Sequence, residues 1–192
     1  KTLVEPPLET AAGGISPPVR AVLIGISTGG PQALSEMLPH LSSRITQPIF
    51  IVQHMPVLFT ASLAESLGKK CSHAVMEARD NVIVLDKHIY IAPGGRHLIF
   101  RKYQDGVLTS ISDQPPENGF KPSVDVMFRS GAAVYGGTAL AIIMTGMGSE
   151  GSQSLRHLKR AGSYVIAQDE ATSVVWGMPG AACATGFVDQ VV

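Results

Sequence analysis

The sequence predicts an α/β domain with a doubly wound, mostly parallel sheet, helices on both faces and a small antiparallel hairpin region. Three observations carry that expectation. Short, wholly apolar runs alternate with stretches of helical periodicity, the pattern of strands buried on both faces. Hydrophobic residues make up 45% of the chain and charged residues 16%, which suits a packed domain and not a disordered one. The chain has 192 residues, and at ~150 residues per domain one folded unit is expected, large enough to need no disulfide or metal staple.

Residues 1–20 (KTLVEPPLETAAGGISPPVR) carry Pro6, Pro7, Pro17, Pro18 and the Gly13-Gly14 pair without sustained periodicity. This composition reads as an interdomain linker, with the folded unit running from 21 to 192. A linker here suggests a module cut from a longer chain, a disordered native tail being the other reading. AVLIGI (21–26) is the first strand. After Ser-Thr-Gly-Gly, the segment 31–41 sets Ala33, Leu34, Met37, Leu38 and Leu41 at helical spacing, with Pro31 suited to a first turn. PIFIVQ (48–53) and FTASLAESLG (59–68) repeat the unit, with Leu58, Ala61, Leu63, Ala64 and Leu67 expected on one face and Gly68 as the stop.

The middle is less regular. Segments 82–85, 88–92, 97–102 and 107–112 read as short strands broken by Asp-Asn, Pro-Gly-Gly and Asp-Gly turns, with an antiparallel hairpin or two among them. Beyond the PPENG loop (115–119), Pro122-Ser123 opens a helix to about Tyr135. A strand over 138–145, a helix over 150–161, a strand over 163–167, a helix over 179–185 and a last strand over 188–192 follow.

Composition narrows the function classes. Lys+Arg and Asp+Glu both total 15, a balance that disfavours a nonspecific nucleic-acid binder or an anionic-membrane binder. Cys71 and Cys183 stand in no metal or redox spacing, so a reducing cytoplasm is expected. Apolar runs such as 139–144 are far shorter than the ~18 residues of a membrane span, and no signal peptide opens the chain, so no membrane insertion is expected.

In an open parallel sheet, chemistry gathers outside the carboxyl ends of the strands. Three polar turns fall there: Gly25 to Gly30, Gln53-His54-Met55, and Thr145 to Glu150. They offer a hydroxyl, an imidazole and a carboxylate, the parts of a nucleophile, base and orienter. Ser27 stands in a G-x-S-x-G sequence, whose glycines suit a sharp strand-to-helix turn. The bland reading is that Ser27 or Thr28 only caps the next helix; a phosphate cradle fits neither common glycine spacing. His54 would face the Ser27 turn if the first two strands are neighbours, and an imidazole with an ordinary pKa near 6.5 can take a proton and return it. The other histidines, His40, His73, His88, His97 and His157, read as structural or solvent-facing. Glu150 opens a predicted helix, where an acidic residue gains ~0.3–1 kcal/mol from the dipole. The order Ser27, His54, Glu150 disfavours an α/β-hydrolase, whose histidine comes last.

IGISTGGPQAL, IVQHMP, YIAPGGRHL, PSVDVMFRS, MTGMGSEG and QDEATSVVWGMP, in this order, resemble the catalytic domain of the chemotaxis protein-glutamate methylesterases, the CheB family. The resemblance covers nearly all of 21–192. It implies a doubly wound fold, hydrolysis of glutamyl methyl esters on the cytoplasmic helices of chemoreceptors, and deamidation of certain receptor glutamines. It also implies an N-terminal receiver domain, no cofactor and no metal. Carried over, Ser27 matches the nucleophile, His54 the base, the Met147 amide an oxyanion donor, and Thr28 a support of the nucleophile. Glu150 stands where the family has aspartate, and Ile26 where it more often has a small residue. A glutamate one methylene longer must fold back, or its segment must shift, to reach His54. Two alternatives stand beside this reading: a catalytically weakened module that binds receptor or a signalling partner, and a related serine esterase acting on another ester.

Overall fold

The computed structural model describes residues 18–192. Two strand–helix units come first: β1 (Ala21–Ile26), α1 (Gly30–Ser42), β2 (Ile49–Gln53) and α2 (Thr60–Gly68). The middle holds β3 (Ala74–Glu77), β4 (Val82–Ile83), β5 (His88–Ile91), β6 (His97–Tyr103) and β7 (Gly106–Ser112). The last part comprises α3 (Val124–Tyr135), β8 (Ala139–Ile143), α4 (Leu155–Arg160), β9 (Tyr164–Ala167), α5 (Gly177–Ala184) and β10 (Gln190–Val191).

Seven strands form one sheet in the order β10-β9-β8-β1-β2-β5-β3, and every pairing in it is parallel. The strand order runs one way from β1 through β2 and the other way from β8. The carboxyl end of β1 is therefore a topological switch point, where such sheets open a crevice for ligands. β6 and β7 form an antiparallel hairpin, to which β4 adds a third strand.

Alternation along β1 and β2 divides the core between two faces. Leu23 and Phe50 pack with Phe128 of α3, Leu155 of α4 and Met178 of α5. Ile24 and Ile51 pack on the opposite face with Leu34 and Leu38 of α1 and Leu67 of α2. Burying a side chain of this size contributes ~1.5–3 kcal/mol. All six residues of β1 are buried, so one substitution there, such as Ile24→Asp, would place a charge between two apolar layers.

Four elements depart from the sequence expectation. β3 was not anticipated: AVME pairs at the sheet edge and is mostly half-exposed, so it leaves no buried apolar run. Segment 88–92 joins the parallel sheet as β5, apart from the antiparallel strands around it. The apolar face of α2 is narrower than expected, because the helix begins at Thr60 and leaves Leu58 84% exposed in the preceding loop, with Ala61 also turned outward. The helix expected from Glu150 begins at Leu155. Residues 150–154 form turns because the Gly151 and Ser154 N–H groups are held by Asp125, and Gly151 has φ 90°. The linker reading of residues 1–17 lies outside the described residues. Val19 accepts a hydrogen bond from Gln47 Nε2 at 3.2 Å, and the Arg20 N–H donates to Thr138 at 2.8 Å.

Candidate active site

β1 runs into the serine turn. The Ser27 N–H donates to the Thr145 carbonyl at 2.9 Å and the His54 N–H to the Ile26 carbonyl at 3.3 Å. These bonds extend the β1–β8 and β1–β2 ladders and bring the ends of the three strands together. Gly30 N–H closes the turn on the Ser27 carbonyl at 2.8 Å. The N-cap of α1 is Gly29, with φ 81°, and no side chain caps the helix. Neither the Ser27 nor the Thr28 hydroxyl is therefore spent as a cap.

His54 projects from the carboxyl end of β2, its side chain 14% exposed, with Nε2 3.2 Å from Glu150 Oε2. That separation is an ion-pair distance, but neither ring nitrogen has an aligned hydrogen-bond partner among the described residues. The contact is electrostatic more than directional. Phe120 stacks on the imidazole, ring centroids 4.6 Å apart and planes 19° from parallel, and so fixes the ring plane. No hydrogen bond joins Ser27 Oγ to His54; such contacts are often loose before substrate binds.

Glu150 is 4% exposed and engages a helix other than the one it was expected to open. Its Oε1 accepts from Ser123 Oγ at 2.6 Å and from the Asp125 N–H at 3.0 Å, and its Oε2 accepts from the Val124 N–H at 3.0 Å. These are donors of the first turn of α3, where the dipole favours an anion. Ser123 is the N-cap of α3 and also accepts from the Val126 N–H at 3.2 Å. The glutamate thus reaches His54 from the turn before α4, with its carboxylate lying across the start of α3. Asp125 is buried beside it. Burial pushes the Asp125 carboxyl up from its ordinary value, hydrogen bonds from Ser154 and Gly151 oppose the rise, and the neighbouring Glu150 adds to it.

The third turn lies against Ser27. A methyl group at Gly146 would fall 2.9 Å from Ser27 Cβ and 2.3 Å from Met178 Sδ, so only glycine fits. Thr145 Oγ1 donates to the Thr28 carbonyl at 2.9 Å and accepts the Val175 N–H at 3.0 Å, tying this turn to the serine turn. The Met147 side chain is 68% exposed, and its amide has no acceptor among the described residues. An unspent N–H in the turn that lies against Ser27 suits an oxyanion. The Thr28 side chain is exposed and forms no hydrogen bond. Among the described residues no group of three or more His, Cys, Asp or Glu could hold a metal ion. Burial pushes the Cys71 and Cys183 thiols up, away from reactive thiolate character.

A hydroxyl, an imidazole facing a buried carboxylate, and a free amide thus meet at the switch point of a parallel sheet. The CheB methylesterase family model matches residues 22–192. The chain belongs to the CheB methylesterase family. It is 49% identical over 172 residues to a protein-glutamate methylesterase/protein-glutamine glutaminase of Desulfotalea psychrophila, covering 88% of this chain and 47% of that protein. It is 44% identical over 192 residues to the protein of the same name from Azospirillum brasilense, covering 100% and 48%. The chain spans about half the length of these curated relatives. The crystal structure of the Thermotoga maritima CheB methylesterase catalytic domain superposes with a TM-score of 0.87 at 38% identity, covering 90% of this chain and 92% of that one. The doubly wound parallel sheet expected from the sequence is thus the CheB fold.

Several residues around this candidate site were not singled out from the sequence. Phe120, Ser123, Asp125 and Gln53 contribute through contacts made only when the chain folds. Pro122-Ser123 at the start of a helix was the one available signal, since serine there is a common cap. His97, read as structural or solvent-facing, is buried; its Nδ1 accepts the Ser123 N–H at 3.2 Å and its Nε2 donates to the Pro115 carbonyl at 3.1 Å. It is structural, supporting the turn from which Glu150 is held. Arg129 forms a bidentate pair with Glu117, fastening the loop that carries Phe120.

Proposed function

We propose that this chain is a serine hydrolase that removes methyl esters from glutamate side chains of chemoreceptor cytoplasmic helices and deamidates certain receptor glutamines. The observation that carries the reading is the 3.2 Å approach of His54 to the buried Glu150, beside the turn that presents Ser27. The names of its CheB relatives supply the substrate class.

Ser27 Oγ attacks the ester carbonyl carbon while His54 takes the hydroxyl proton. Nε2 faces Glu150, which leaves Nδ1 as the accepting nitrogen. Glu150 orients the ring and stabilises the imidazolium. The tetrahedral oxyanion is held by the Met147 N–H, and losing one such donor typically costs ~10²–10³ in rate. Thr28 supports the serine turn through its carbonyl, which accepts from Thr145 Oγ1. His54 then protonates the departing methanol, leaving an acyl-enzyme, and water attacks that ester as His54 accepts its proton. Ser27 regains its hydrogen from the imidazolium. For a glutamine the leaving group is ammonia.

Residues 1–20 act as the linker to an N-terminal receiver domain and 21–192 as the catalytic domain, supported by the Pro- and Gly-rich composition of the first segment. The working compartment is the cytoplasm, where receptor helices are reached. Among the described residues no helix is long and apolar enough to cross a membrane. The unaligned His54–Glu150 contact favours one second reading, a weakened module that binds receptor without turnover. Methanol release from a methylated receptor helix separates the two: turnover that is lost in Ser27→Ala supports the hydrolase, and binding without methanol supports the module.

A further inference from the structure

Gln53, the last residue of β2, is 2% exposed. Its Nε2 donates to two backbone carbonyls, those of Ser27 and His54, at 3.0 Å each. A single amide group therefore spans the turn that presents the hydroxyl and the residue that presents the imidazole. The Ser27 carbonyl accepts the Gly30 N–H as well, so the clasp is built into the turn itself. Both carbonyls need the NH2 end of the amide, which fixes its orientation. Gln53 Oε1 has no donor among the described residues. It lies against Gly30, where a methyl group would fall 1.8 Å away, so a side chain at residue 30 and the clasping amide exclude each other.

We propose that Gln53 is a positioning residue that sets the geometry of Ser27 against His54. The two side chains project from separate loops, and β-ladder bonds end at their backbones. Among the described residues the Gln53 amide supplies the side-chain hydrogen bond from β2 to the serine turn, and Gly30 is the space it needs. Errors of about 1 Å in such pairs can cost ~10²-fold in rate.

This inference rests on the serine-hydrolase reading, and its test avoids any need for a receptor. A fluorophosphonate ester reacts with an activated serine: the Oγ–P bond forms, the P–F bond breaks, fluoride leaves, and His54 takes the hydroxyl proton. Labelling of Ser27 is followed by mass spectrometry in the parent protein, Gln53→Met, Gly30→Ala and the double variant, with folding checked by thermal unfolding. Each single variant is expected to lower the maximal labelling rate constant about tenfold or more while leaving the half-saturating reagent concentration within about twofold. The double variant is expected to be no slower than the slower single, because both disturb one contact. A merely structural role would lower the unfolding temperature and leave the rate constant of the folded protein unchanged. That result, or losses that add in the double variant, would overturn the proposal. If Gln53→Met does not fold, Gly30→Ala carries the test, and parent-like labelling in it is the overturning result. Failure of the parent to label at Ser27 overturns the serine reading, and the role of Gln53 with it.

Discussion

Asp125 and Glu150 cap each other's segments. The Asp125 N–H donates to Glu150 Oε1 at 3.0 Å, while Asp125 Oδ2 accepts from the Gly151 N–H at 3.0 Å and Oδ1 from the Ser154 N–H at 2.8 Å. Two acidic side chains thus lock the start of α3 to the turn that precedes α4. The lock holds Glu150 within reach of His54, so the Asp125 carboxylate acts on the site through the turn that carries Glu150.

Asp125→Ala strands two buried N–H donors, each worth ~1–3 kcal/mol when left unsatisfied. The variant is expected to unfold in denaturant with a loss of that order and to release methanol more slowly, because Glu150 loses its seat. Parent-like stability together with parent-like turnover would show that the mutual cap is dispensable.

Glu150 itself separates charge from shape. Glu150→Gln keeps the length but turns an NH2 group toward donors of α3 or toward His54, and it should lower kcat at least ~10²-fold; replacing the orienting carboxylate of a serine protease by its amide costs ~10⁴. Glu150→Asp keeps the charge and is expected within about tenfold of the parent by the same measure. Equal activity of the two variants in a methanol-release assay contradicts the orienting role.

Glu117 gives a pH signature. The Arg129 guanidinium holds its carboxyl below the usual glutamate value of 4.5. The unfolded chain therefore binds that proton more readily than the folded one, so the stabilisation is present above about pH 4.5 and is lost as pH falls through the lowered folded value. Both side chains are about a third exposed, 37% and 32%, which limits the gain to about 1 kcal/mol. Calorimetry of Glu117→Gln against the parent should show a lower Tm at neutral pH and a gap that closes on acidification. A gap independent of pH would mean that the pair contributes packing alone.

Where a segment's burial was uniform, its structure was legible in the sequence. AVLIGI reads as a strand and is one, buried along its whole length, and the glycine turns at 25–30 and 145–148 mark the two strand ends that meet. Legibility failed where long-range contacts override local pattern. AVME carries no apolar run because it lies on the sheet edge. The turn at 150–154 stays out of α4 because Asp125 takes its N–H groups. That Ser27, His54 and Glu150 fall where neighbouring strand ends meet was legible from motif and position. Gln53 and Phe120 were not, because a glutamine ending a strand and a phenylalanine in a loop carry no local mark of the imidazole or carbonyls they meet.

The most direct test of the account is methanol release from a methylated chemoreceptor helix by the parent chain and by Ser27→Ala at equal folded concentration. The account predicts steady release by the parent and a loss of at least ~10³-fold in the variant, since losing a triad nucleophile removes most of the acceleration. Release by Ser27→Ala at the parent rate would contradict it.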